Sequence, residues 1–307
     1  MKPIEAAVLR TLLYADVFGF PMTPEEIHHF LIHDAPVGLK QVEEILATSP
    51  FIREHVEMDC GFAVCAGRRG LIDQRIEREK ASQTLWPLAR RYGKWLARLP
   101  FVRMVAVTGA LAMNNAAGEH DDLDYMLVTA EGRVWLARAF SILLVRAARL
   151  RGVIICPNYV LSESALEQNK KDLFIAHEVT QMTPIYGLPL YWVFRDANSW
   201  VADHLPNGDG IFRDTAELTL GKLALRLKDI LEAILSGSLG DKFENWEYQR
   251  KLRRFAREME TPHSAAQLDE KRVKGHFKDY GHPVLRQYHE RLREYGLEEV
   301  EFSASGD

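Results

Sequence analysis

Asp122-Leu123-Asp124 sets two carboxylates two residues apart at the head of an apolar run, Tyr125 to Val128. The period of two in a strand places both on one face. Like charges held side by side repel unless a cation or a proton sits between them. Oxygen-rich pairs of this kind suit Mg²⁺ or its substitute Mn²⁺, which take one or two protein carboxylates and fill their remaining positions with water and substrate phosphate. A second run of strand length, Val102 to Val107, stops at Thr108-Gly109, where glycine lets backbone come close to a ligand or to the next helix. The competing reading of the acidic residues is a hydrophilic link, Gly118 to Asp122, of the ordinary solvated sort.

A strand, a glycine at its end, a short helix and then Asp-x-Asp opening a second strand is a rarer combination than either motif alone. It resembles the nucleotidyltransferase superfamily of DNA polymerase β, whose signature is a hydrophobic strand, Gly-Ser or Gly-Gly, about ten variable residues, and Asp-hydrophobic-Asp/Glu-hydrophobic. Here the match reads Val107-Thr108-Gly109-Ala110, then Leu111 to Asp121, then Asp122-Leu123-Asp124-Tyr125, and it covers residues 101–165. The resemblance implies that Thr108, Gly109 and Ala110 hold a nucleoside triphosphate at a helix N-terminus, with Asp122 and Asp124 as metal ligands. It implies transfer of a nucleoside monophosphate to an acceptor hydroxyl that the sequence does not identify.

Two positions depart from that pattern. Ala110 lacks the hydroxyl that the family offers to phosphate, although backbone N–H groups at a helix start still bind anions. The family also carries a third acid on a later strand, and the next strand here, Val153 to Leu161, holds none. Asn158 is the expected occupant of that place and Glu163, just beyond the strand, the substitute. An amide cannot accept a proton, so a nucleotide-binding or interaction module without catalysis stands as the second reading.

Other elements must position these groups. Residues 1–67 read as three helices and a hairpin: a stripe from Ile4 to Val17, a helix opened by Thr23-Pro24-Glu25-Glu26, a third over Leu39 to Thr48, then Phe51–Glu57 and Phe62–Cys65 around Asp59-Cys60-Gly61. That order resembles a winged helix. Its third helix offers Lys40 beside Glu43 and Glu44, a poor match to a phosphate-lined groove, which favours a protein-contact or substrate-presenting module over DNA binding. His28, His29 and His33 are surface or packing residues on this reading.

Residues 68–100 form a basic helical connector, broken near Pro87, with Trp86, Tyr92 and Trp95 among its cations. It is a solvated face or a cationic wall for triphosphate or RNA. Residues 101–205 make an α/β unit, with a crossover helix over Gly132 to Leu150, helices around Ser164–Lys171 and Phe174–Gln181, and a loop over Pro184–Pro189. Residues 206–307 read as helices, including a strongly apolar one from Leu218 to Leu235 that needs a packing partner. The expected fold class is therefore an α/β (α+β) core with a mixed sheet between a winged-helix-like and a helical domain.

The chain has 307 residues, 47% hydrophobic and 27% charged, within the globular range, and a net charge of -4 gives no global reason to expect a polyanion partner. Nucleic acid is thus an open but weakly indicated partner. The start lacks a signal-peptide pattern, the apolar run Val134 to Leu150 is interrupted by Arg138, Arg146 and Arg149, and Cys60, Cys65 and Cys156 are too scattered for a disulfide framework. These features imply a cytoplasmic protein with no membrane span.

Overall fold

The computed structural model describes residues 1–213, 216–259, 267–274 and 279–297. The chain opens with α1 (Pro3–Val17), α2 (Pro24–His29), α3 (Leu39–Thr48) and α4 (Pro50–His55), then β1 (Val56–Asp59) and β2 (Phe62–Cys65). Thr23 caps α2 as its sequence requires: its hydroxyl accepts from the Glu26 N–H at 3.2 Å, and Glu26 Oε2 accepts from the Thr23 N–H at 3.0 Å. The same chemistry recurs at Ser49-Pro50, where the Ser49 hydroxyl accepts from the Ile52 N–H at 3.2 Å. Phe51 to His55, expected as the first arm of the hairpin, is therefore helix, and the hairpin begins only at Val56. Cys60 and Gly61 turn it with φ of 49° and 81°.

Next come α5 (Gly70–Ala97), β3 (Val102–Val107), α6 (Gly109–Ala112), β4 (Leu123–Thr129), α7 (Val134–Arg149) and β5 (Ile155–Ser162). Helix α5 is unbroken, with Pro87 inside it, because Leu85, Ala89, Tyr92 and Leu96 are buried on either side of the proline and hold one axis. The chain continues through α8 (Leu173–Gln181), β6 (Thr183–Tyr186), α9 (Leu188–Ala197), α10 (Val201–His204), α11 (Lys222–Leu235), α12 (Ser238–Met259), β7 (Gln267–Leu268), β8 (Arg272–Lys274) and α13 (Gly281–Glu294).

The principal sheet has six strands in the order β6-β3-β4-β5-β8-β7. It is mixed: β4 and β5 are parallel, joined by the α7 crossover, and every other pairing is antiparallel. Three expectations are corrected by it. The segment over Ser164–Lys171 contains no helix, only turns and bends. Pro184 sits in a strand rather than a loop, which an edge strand tolerates because the missing N–H can face outward. The C-terminal hundred residues are not all helical, since β7 and β8 extend the sheet beyond β5.

Alternation along β4 assigns its faces. Leu123, Tyr125 and Leu127 pack into the core shared with α5 and α7, whereas Met126 and Val128 join the opposite core with α8, α13 and the first helices. Asp124, in phase with Met126, looks toward that second side. This second core runs without interruption from Ala6 to Leu297, so residues 1–67 share it with the sheet. Tyr14 of α1 stacks on His177 of α8 with ring centroids 3.9 Å apart, and Arg291 of α13 donates to Asp16 at 2.8 Å. Among the described residues no helix is long and apolar enough to cross a membrane.

Candidate active site

Strand β3 ends at Val107, and Thr108 ties the turn to β4 by donating its N–H to the Asp124 carbonyl at 3.0 Å. Gly109 follows with φ of +65°, a conformation that L side chains adopt at a cost. A Cβ built there would stand 2.5 Å from Asp124 Oδ2 and 3.3 Å from Asp124 Cβ. Glycine is thus required twice, by its backbone angle and by the carboxylate lying against it.

Asp122, Asp124 and Cys156 bring two carboxylate oxygens and a sulfur within 4.8 Å of one another. Asp122 is exposed, while Asp124 and Cys156 are half-buried. Asp124 and Cys156 are direct partners across the parallel β4–β5 pairing, which then slips by a bulge between Tyr125 and Met126. Asn158, in that irregular stretch, donates its Nδ2 to Asp124 Oδ1 at 2.6 Å. Its other polar atom, Oδ1, is buried and has no hydrogen-bond partner among the described residues. An orphaned acceptor oxygen on the residue that bonds Asp124 is one that a cation or an ordered water can satisfy.

The electrostatics have the same sense. Burial and then the neighbouring Asp122 charge push the Asp124 carboxyl up to about 7, against the opposing hydrogen bond from Asn158. Burial, followed by Asp124 and Asp122, pushes the Cys156 thiol up to about 12, so it is neutral at physiological pH. The oxygens of Asp122, Asp124 and Asn158 form a hard donor set that fits Mg²⁺ or Mn²⁺, with a neutral thiol beside it.

Asp122, Asp124, Asn158, Thr108 and Gly109 all line one cavity of about 640 Å³. Its far wall is apolar and aromatic, built from Phe174, Val179, Met182 and Phe194, and Phe18 from the end of α1 closes one side. Lys170, Lys274, Glu178 and Asp279 add charge to it. Burial raises the Glu178 carboxyl, with Lys274 and a hydrogen bond from Gln181 opposing, and the Glu178 charge acts on Asp124 across the space.

Neither a family model, nor a curated protein, nor a solved structure matches the chain. The functional reading rests on the geometry of this site.

Most of the residues singled out by sequence converge, and one does not. Glu163 follows the last residue of β5, where its N–H donates to the Thr129 carbonyl at 2.8 Å and its Oε1 accepts from the Glu131 N–H at 3.3 Å. Asp124 and Cys156 lie near the other ends of these parallel strands, seven residues away, or roughly 20 Å at the usual rise. Glu163 therefore caps the opposite edge of the sheet. Ala110 sits in α6, which is a single turn of four residues and carries little of the dipole expected of a longer helix.

Two site residues escaped the sequence reading. Cys156 carries a signal in retrospect, because strand period two sets it on the Asn158 face. Glu178 has none, since nothing local fixes which side of α8 meets the aspartates. The basic connector is partly structural: Arg75 is buried against Glu26 at 2.9 Å, Arg69 pairs with Asp59 at 2.8 Å, and Tyr92 is buried.

Proposed function

We propose that this protein is a divalent-metal-dependent nucleotidyltransferase that moves a nucleoside monophosphate from a nucleoside triphosphate to a hydroxyl of an acceptor. The observation that carries the reading is the packing of the Thr108-Gly109 turn directly against Asp124, with Asp122 and Asn158 alongside. Asp122, Asp124 and the Asn158 oxygen would hold the ion, which when bound neutralises phosphate charge and polarises the reacting phosphoryl group. The Gly109 backbone and the Lys170 and Lys274 side chains line the same cavity, where the N–H and the two ammonium groups would attract phosphate oxygens. In the reaction the acceptor oxygen bonds to the α-phosphorus, the bond to the β-phosphate bridge breaks, and pyrophosphate departs. Asn158 cannot take the acceptor's proton, and we assign that proton to Glu178, whose charge acts on Asp124, rather than to the other cavity carboxyl, Asp279, which accepts from the Gly281 and His282 N–H groups.

The winged-helix-like order of residues 1–67 fits a substrate-presenting module better than a DNA reader. Phe18 at the end of α1 lines the cavity, whereas Lys40 on exposed α3 stands beside exposed Glu43 and Glu44.

The test is transfer of label from [α-³²P]-ATP, CTP, GTP or UTP with Mg²⁺ or Mn²⁺, comparing wild type with the Asp122→Ala, Asp124→Ala double variant across a small-molecule, tRNA and protein acceptor panel. Equal labelling and equal metal-dependent nucleotide binding in the two proteins would remove the proposal. A second reading, nucleotide binding without turnover, is favoured by the amide of Asn158, rather than an acid, standing against Asp124. Calorimetric binding of nucleotide with no pyrophosphate release would select it.

A further inference from the structure

Helix α11 is turned inside out. Two of its charged residues face the protein: Lys228 is buried, donating Nζ to the Ala97 carbonyl at 2.9 Å and to the Val102 carbonyl, and Glu232 accepts from the Phe101 N–H at 2.6 Å and from both terminal nitrogens of the Arg103 guanidinium. Its apolar residues face out. Leu223, Leu227, Ile230 and Ile234, at i, i+4, i+7 and i+11, form one stripe with exposures from 53% to 72%. Leu239, Phe243 and Trp246 extend the exposed apolar surface onto α12, at 47% to 58%. If each of these seven side chains presents roughly 100 Å², the patch is on the order of 700 Å², beyond the few hundred Å² that monomers usually leave open and close to one partner's share of a standard interface.

We propose that this face is the twofold interface of a homodimer, with α11 packed antiparallel on α11 of a second copy about a point between Leu227 and Ile230. The charges beside the stripe are self-complementary in that arrangement. Lys222 and Arg226 occupy the first half of α11 and Asp229 the second half, all exposed. Antiparallel pairing brings Arg226 of each copy within a turn of the other copy's Asp229, and it opposes the two helix dipoles favourably. A lipid surface fits less well: membrane-lying helices carry a polar face rich in Lys and Arg, and here Lys228 is buried within the fold while the exposed cations Lys222 and Arg226 are accompanied by the exposed acid Asp229.

The full chain is the protein to test, by sedimentation equilibrium at graded concentrations alongside circular dichroism. Wild type is expected to run as a dimer, and Leu227→Glu with Ile230→Glu as a monomer of unchanged helix content, its dissociation constant weakened at least about 100-fold. Arg226→Glu and Asp229→Arg, each alone, should weaken dimerisation about 10-fold, since a twofold axis breaks two ion pairs at once, and the combined variant should recover most of that loss. The charge-swap pair leaves the apolar stripe intact and so separates pairing from misfolding. A wild-type monomer at about 100 μM, charge variants without effect, a double variant that fails to recover, or preferential binding to phosphatidylglycerol vesicles would each overturn the proposal.

Discussion

Asp124 Oδ2 lies where the Cβ of any residue larger than glycine at position 109 would have to go, at 2.5 Å. The carboxylate and the turn therefore cannot be changed independently. Gly109→Ala should force the Asp124 side chain off its position as well as strain a backbone held at φ +65°. The expected result is a loss of Mn²⁺ affinity of about 10-fold or more, read by calorimetry, with a melting temperature lowered by a few degrees, on the order of 1 kcal/mol. Unchanged metal affinity would show that the carboxylate is not held by this contact.

Asp124→Asn should stabilise the metal-free protein while removing its metal response. The folded-state pKa of Asp124 is raised to about 7 by burial and by Asp122, above its ordinary value of 3.8. The folded protein thus holds this proton more tightly than the unfolded chain, so stability is lost as pH rises from about 4 to about 7 and is level above. Asparagine carries no such charge and still accepts from Asn158. Urea denaturation at pH 8 without metal should favour the variant by about 1 kcal/mol or more, and Mg²⁺ should raise the stability of wild type alone.

Cys156→Asp installs a third carboxylate directly opposite Asp124 in the strand register. Without metal it adds a like charge to a crowded pair and should lower the melting temperature. With Mg²⁺ or Mn²⁺ it adds a hard ligand, and affinity should rise about 10-fold. A variant that loses stability in both conditions would indicate that the thiol is present for packing.

Glu178→Gln separates proton transfer from binding. The amide keeps the size of the side chain and its place on the cavity wall, so Mn²⁺ and nucleotide affinities should stay within about 3-fold. Turnover should fall by about 100-fold or more, and the rise of rate with pH should disappear. Equal losses in binding and turnover would assign Glu178 to substrate binding.

The sequence was readable where chemistry is local. Thr23-Pro24 opened its helix through hydrogen bonds within four residues, and Gly109, just past the end of β3, meets Asp124 on β4, the strand that adjoins β3 in both chain and space. It was opaque where placement depends on distant packing. Pro184 became strand because β3 had a free edge there, β8 reached the sheet from more than a hundred residues beyond β5, and Glu178 met the aspartates only after α8 had docked. Ser49-Pro50 was different, being a local signal equal in kind to Thr23-Pro24 that the aromatic and β-branched run after it obscured.

The joint between the first helices and the sheet should fail in acid. His177 is buried at 7% exposure, stacked on Tyr14 and parallel to Phe30, and its Nδ1 donates to the Leu173 carbonyl at 2.8 Å. Burial depresses its pKa from 6.5 to about 3, so the folded state refuses a proton that the unfolded chain accepts. The stability it confers is complete above pH 6.5 and is lost as pH falls toward 3, at up to about 1.4 kcal/mol per pH unit. His29, lowered to about 4 by burial, adds in the same direction. His177→Phe keeps the ring stack and loses one hydrogen bond, which should cost about 1 kcal/mol at pH 8. Between pH 6.5 and 4.5 the variant should then lose stability more slowly than wild type, as urea midpoints at each pH would show. Parallel slopes for the two proteins would mean that His177 is hydrated in solution, and that the contact between α1 and α8 opens without unfolding the rest.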